Sequence, residues 1–244
     1  MNETVEEAVQ RYSDHFMNQI EQIRAISGES ADLFKKTLYC SVLDALSRSI
    51  FPRKRPRERF TSLVRRFGRW SYQDHVSLPH LIRVLQMCPD PAFEKLRMIA
   101  NQKLGSWNAP WGSIRLDQDP TEDEISKLWP RRKEYQIPIE GVRLESLTHL
   151  QLLYSHRNSL VHELRILGYG MDIGDEPEPF YHDMSNISNS DEAPIETIEL
   201  VYPVKFFEHL CTTVLTRLKE YFIKNNLNPY DYYRFGSYWI EKLN

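Results

Sequence analysis

A chain of 244 residues is long enough for one substantial core or two small domains. With 41% hydrophobic and 27% charged side chains its composition excludes a disordered chain, and a formal charge of -3 excludes a bulk polycation. The charge is uneven: Arg53 to Arg69 carries eight basic side chains against the single acid Glu58, while nine Asp or Glu and no Lys or Arg lie between Arg165 and Lys205.

Read from the first residue, the stretch Met1 to Glu7 is acidic and has no apolar segment, so no secretory signal is expected. No apolar run approaches the roughly 20 residues that span a bilayer, so no membrane partner is expected and the cytoplasm is the expected location. Val5, Val9, Tyr12, Phe16, Ile20 and Ile23 step by three or four and predict a helix over about 3–27, with Thr4 and Glu7 as a capping box. Ser30 is placed to cap a second helix over about 31–51, with Phe34, Leu38, Val42, Ala45 or Leu46, and Ile50 on its apolar face. Pro52 ends it.

From Pro52 to Gly141 shorter helices are expected at Glu58–Phe67, Pro79–Met87 and Pro91–Lys103, then an irregular segment rich in Trp and Pro. A third long helix is expected over about 142–167, carrying Leu147, Leu150, Leu153, Tyr154, Leu160, Val161 and Leu164. Residues 168–195 read as a long acidic loop. Glu196–Tyr202 alternates as a short strand, with Tyr135–Ile139 a possible pairing partner. Pro203 fits the first turn of a fourth helix over about 203–225, with Phe206 or Phe207, then Leu210, Cys211, Val214, Leu218, Tyr221 and Phe222 as its stripe. The fold class is mainly α: one domain over 1–244, four long helices, a helical insertion over about 52–141 and the acidic loop. Cys40, Cys88 and Cys211 are odd in number, far apart and set among apolar neighbours, so buried free thiols are expected rather than disulfides or a zinc site.

One stretch carries chemistry. At 100° per residue from Leu147, Arg157 falls at about 280°, between Leu153 at about 240° and Leu150 at about 300°. Asn158 and His162 follow at about 20° and 60°, one turn apart on the edge of that stripe. A guanidinium in an apolar stripe needs either a buried acid or an opening that admits an anion. A phosphodiester suits such an opening. Arg offers a planar fork to phosphate oxygens, His exchanges protons near neutrality, and Asn can orient either. Attack by a neighbouring RNA 2′-hydroxyl needs no activated water and hence no metal, and Arg would stabilise the added negative charge. Arg followed by His after four to six residues also occurs at Arg69–His75 and Arg143–His149, but only Arg157 is followed by a polar Asn in an all-helical setting.

Tyr154-Ser155-His156-Arg157-Asn158-Ser159-Leu160-Val161-His162-Glu163 resembles the signature of the HEPN superfamily: Arg, a polar residue, a few residues, then His. The resemblance implies a HEPN-like four-helix bundle and a metal-independent endoribonuclease without a cofactor, often a toxin or defence effector. It also implies a homodimer whose two motifs form one cleft. Arg157, Asn158 and His162 match the motif. Tyr154 and Arg165, one turn away on either side, are candidates for substrate contact.

The basic run Arg53, Lys54, Arg55, Arg57 and Arg59, extended by Arg65, Arg66 and Arg69, is placed to track an RNA backbone, with Phe60, Phe67, Trp70 and Tyr72 near enough to stack on bases. A solvated face pairing with the acidic loop is the alternative. That loop reads as a connector; folding onto the basic run would make it autoinhibitory, and Asp172, Asp175 and Glu176 would suit a weak calcium site. His75, His80, His149, His156 and His209 lack zinc-ligand spacing. Two rival functions stay open: a non-catalytic HEPN-like interaction or regulatory module with Arg157 paired to an acid, and an RNA-binding protein using only the basic run. An inhibitory or regulatory protein partner is compatible with each.

Overall fold

The computed structural model describes residues 3–107, 113–172, 176–183, 198–233 and 239. The protein is mainly helical with small sheets. Its contacts group the chain into two compact units: Met1–Trp70, Arg157–Arg165 and Phe207–Asn244 form the first, Ser71–His156 and Ile166–Phe206 the second. The expected insertion over 52–141 is therefore drawn differently: residues 52–70 belong with the long helices, and 142–156 and 166–206 with the inserted region.

In the first unit, α1 (Val5–Arg24) opens on the expected capping box, in which Thr4 and Glu7 satisfy each other's backbone N–H. It buries Val9, Tyr12, Phe16, Ile20 and Ile23. Helix α2 (Ala31–Ile50) begins after Ser30, but that side chain makes no capping bond among the described residues. Its core face keeps Val42 and Leu46 of the expected stripe and adds Tyr39, Cys40 and Leu43, while Phe34 and Leu38 stay exposed. The middle of α2 is apolar on nearly every side, so periodicity leaves its orientation open. Helix α3 (Pro56–Phe67) starts on Pro56 and buries Phe60, Leu63, Val64 and Phe67. Helix α8 (Val204–Lys224) contributes Phe207, Leu210, Cys211, Val214, Leu218 and Phe222 to this core. Tyr12 ties the helices together: its hydroxyl meets Ser49 Oγ at 2.7 Å and its ring stands edge-on to Phe222 at 6.0 Å. Gly68 permits close passage, since a Cβ there would lie 2.8 Å from Leu210 Cδ1. Cys40, Cys88 and Cys211 are buried free thiols.

The second unit is built on α4 (Leu78–Met87), α5 (Glu94–Gly105) and α6 (Glu122–Leu128), whose Leu81, Ile82, Leu85, Leu96, Ile125 and neighbouring Trp129 share one core. Helix α6 is unexpected: it rests on a second capping box, Thr121 with Glu124, inside the segment read as irregular. Strands β1 (Ser113–Arg115), β4 (Phe180–Asp183) and β5 (Ile198–Val201) form an antiparallel sheet in the order β1-β4-β5, with Ile114 opposite Tyr181 and Tyr181 opposite Leu200. The pairing proposed for Tyr135–Ile139 with the late strand is thus incorrect: β3 (Tyr135–Gln136) pairs with β2 (Arg131–Arg132), and β5 with β4. Nor is 168–195 a loop throughout, because β4 lies within it.

Helix α7 (His149–Glu163) starts seven residues later and ends four earlier than expected. Leu144–Leu147 forms a 3-10 turn and Thr148 is extended, paired with Val76, while Leu147 O accepts from Ser77 N. Tertiary pairing outweighs the local helical pattern there. At the far end Leu164 takes φ +49° and stops the helix. No helix among the described residues is long and apolar enough to cross a membrane.

The centre of the second unit is a hydrogen-bonded carboxylate. Asp119, buried, accepts from Leu78 N at 2.9 Å through Oδ1, and from His149 Nε2 at 2.7 Å and Tyr181 Oη at 2.6 Å through Oδ2. Three donors on an oxygen pair replace the water lost on burial.

Candidate functional site around Arg157

Helices α2 and α7 supply the site. Asp44 stands on α2 one turn after Cys40 and beside Leu43, an acid within an otherwise apolar stretch. Arg157 Nε donates to Asp44 Oδ2 at 2.8 Å, and Arg157 Nη2 donates to the same oxygen. Arg157 Nη1 turns the other way, donating to Asn158 Oδ1 at 2.9 Å and meeting His162 Nε2 at 3.1 Å. A guanidinium has no acceptor, so His162 Nε2 must accept; a neutral His162 then carries its hydrogen on Nδ1. Four of the five guanidinium hydrogens are used in these bonds.

Burial is graded across the cluster. The side chains of Arg157 and Asp44 are 10% and 16% exposed, Asn158 is half-buried and His162 is exposed. Asp44 Oδ1 is buried and accepts no hydrogen bond from the described residues. The Cys40 thiol, fully buried, is pushed far above the ordinary thiol range by desolvation first and by the Asp44 charge second, against the opposing pull of Arg157. It is no nucleophile. The site is therefore a cation anchored from behind by a carboxylate, with an amide and an imidazole toward solvent.

All three motif residues come together. Of the two explanations open to a cation in the stripe, a pairing acid is found, and it is the half-buried Asp44, which the sequence did not single out. A lone acid between Leu43 and Ala45 on an apolar helix was the available signal.

The remaining expected contacts fare differently. Arg165 is exposed and bonds Glu163 Oε2 at 2.8 Å. Tyr154 lies on α7 within the second unit, half-buried. Arg53, Lys54, Arg55 and Arg57 are exposed, as a backbone-tracking face requires, and Arg59 is half-buried. Lys54 Nζ donates to Ser62 Oγ at 2.8 Å. The stacking platform is a correction for three of its four rings: Phe60, Phe67 and Trp70 are core residues at 0%, 4% and 4% exposure and present no face to a base, while Tyr72 is half-buried. Asp172 Oδ2 accepts from Val204 N at 2.9 Å, which makes it a cap for α8. Asp175 and most of the acidic loop lie outside the described residues, and among those described no group of His, Cys, Asp and Glu is disposed to hold a metal.

Compared with known proteins, the chain matches no family model, no curated protein and no solved structure.

Proposed function

We propose that the protein is a metal-independent endoribonuclease of the HEPN type. The observation that carries this reading is the 3.1 Å contact between Arg157 Nη1 and an exposed His162 Nε2, with Asn158 on the same guanidinium nitrogen. Four long helices in the order α1, α2, α7, α8 support a HEPN-like bundle. In the reaction the RNA 2′-oxygen bonds to the adjacent phosphorus and the bond from phosphorus to the 5′-oxygen breaks. The products end in a 2′,3′-cyclic phosphate and a 5′-hydroxyl. His162 takes the 2′-hydroxyl proton or returns one to the leaving oxygen; its Nε2 carries no hydrogen, and its lone pair serves the first role once Arg157 Nη1 turns from the ring to the phosphate. Arg157 stabilises the charge gained by the phosphoryl oxygens, Asp44 fixes its fork and Asn158 orients the imidazole. RNA is the partner, tracked by Arg53, Lys54, Arg55, Arg57 and Arg59. A homodimer brings two such motifs into one cleft, and a toxin or defence role with a restraining protein partner follows from the same resemblance.

The test is labelled RNA incubated with purified protein in EDTA. Cleavage to cyclic-phosphate ends, abolished by His162→Ala in a folded protein, is the expected result. Intact RNA under all conditions defeats the proposal.

One observation favours a second reading, a non-catalytic interaction module: the Asp44 carboxylate neutralises much of the Arg157 charge. Under that reading Arg157→Ala unfolds the protein, while His162→Ala changes nothing measurable.

A further inference from the structure

The second unit holds a cavity of about 70 Å³, room for some two water molecules, that the RNA reading leaves unused. Its walls include His80, Ser155, Gly168, Glu199 and Tyr202. Two of these lining side chains carry acceptors. Glu199 is only 8% exposed; its Oε1 receives Arg83 Nη2 at 3.3 Å, and its Oε2 accepts nothing from the described residues. Gly168 leaves that oxygen uncovered, because a Cβ at this position would lie 2.8 Å from Oε2.

The second acceptor is set by counting hydrogens. Tyr181 Oη gives its single hydrogen to the Asp119 carboxylate, so across the 2.7 Å to Ser77 the serine hydroxyl is the donor. Ser77 Oγ then receives a hydrogen from His80 Nδ1, 2.7 Å away. Every hydrogen in the chain points toward Asp119, and His80 is left with a bare Nε2. Burial, and then the charges of Arg83 and His149, push the His80 pKa down to about 4, so the ring is neutral at ordinary pH. Tyr202 offers the cavity no hydrogen, since its hydroxyl donates to His149 O at 3.0 Å.

We propose that this cavity binds the head of a free primary alkylammonium compound, with Glu199 Oε2 and His80 Nε2 accepting its N–H hydrogens and Leu152 and Leu200 flanking its first carbons. An ammonium fits because it brings three donors, no acceptor and a positive charge to a carboxylate. Arg83 opposes the added charge, but its side chain is 37% exposed and engages Oε1 rather than Oε2. This inference is independent of the RNA reading.

The experiment is calorimetric titration of the full chain with n-butylammonium chloride, with n-butanol as the neutral control. The expected result is saturable binding of the amine, at least tenfold tighter than the alcohol, and a loss of at least tenfold in Glu199→Gln. Ser155→Met, at an exposed helix position on the cavity wall, provides a variant that leaves the buried network intact and lowers affinity by a similar factor. No saturable binding, equal affinity for alcohol and amine, or unchanged affinity in the folded variants overturns the proposal.

Discussion

Both units organise a shielded carboxylate, half-buried Asp44 in the first and buried Asp119 in the second, and they do so in opposite ways. Among the described residues Asp44 meets a permanent cation through one oxygen and has no donor on the other, whereas Asp119 uses both oxygens to accept from a backbone N–H, an imidazole and a phenol. The first arrangement pairs a buried cation with a half-buried acid and an exposed imidazole. The second satisfies a carboxylate inside the fold. The contrast teaches that a shielded acid reads as a functional anchor when its partner faces outward, and as a structural hub when its partners close around it.

The widest gap between the two should appear in activity. His162→Ala is expected to lower RNA cleavage about 10² to 10⁴-fold, the usual contribution of a positioned acid or base. The denaturation midpoint should barely move, since His162 is exposed. A parallel loss of stability would erase the distinction drawn for the first cluster. Next in size is Asp119→Ala, which strips three donors of their acceptor at a fully buried site; chemical denaturation should show a loss of about 3–5 kcal/mol. Asp44→Ala should cost less, about 2 kcal/mol, because Asp44 is half-buried and Arg157 keeps Asn158 and His162 as acceptors. Equal costs would make both clusters structural.

A third measurement concerns pH. His80 titrates at about 4 in the folded chain against 6.5 ordinarily, so between those values the unfolded chain binds the extra proton. Stability therefore falls as pH drops through that window, by about 2 kcal/mol between pH 6.5 and 5. Urea titrations of His80→Gln should show a flatter dependence; an unchanged slope would detach His80 from the Asp119 chain. The smallest effect expected is at α1, where Thr4→Ala removes one half of the capping box and costs about 1 kcal/mol.

Much of the first cluster was legible because it is local. Arg157, Asn158 and His162 sit within two turns of one helix, and helical angles alone put the cation in the apolar stripe. Its anchor was less legible, since Asp44 lies 113 residues away and only its apolar surroundings mark it. The second network could not be read at all. Tyr181 and Ser77 are 104 residues apart, Asp119 sits in a segment without periodicity, and Phe180–Asp183 lies among Gly, Pro and acidic residues that signal a loop. The long helices α1 and α8 follow their stripes closely. Helix α7 starts late because Thr148 is claimed by an extended pairing with Val76, a partner 72 residues earlier that no local pattern announces.

The Arg157–His162 contact carries one more consequence. A guanidinium can only give hydrogens, so the two side chains attract each other only while the ring nitrogen keeps its lone pair. While that lone pair is spent on Arg157 it is closed to a substrate hydroxyl, so the two side chains must part before the ring can act on one. An oxygen that took over the Arg157 hydrogen would uncover the ring nitrogen in the same stroke.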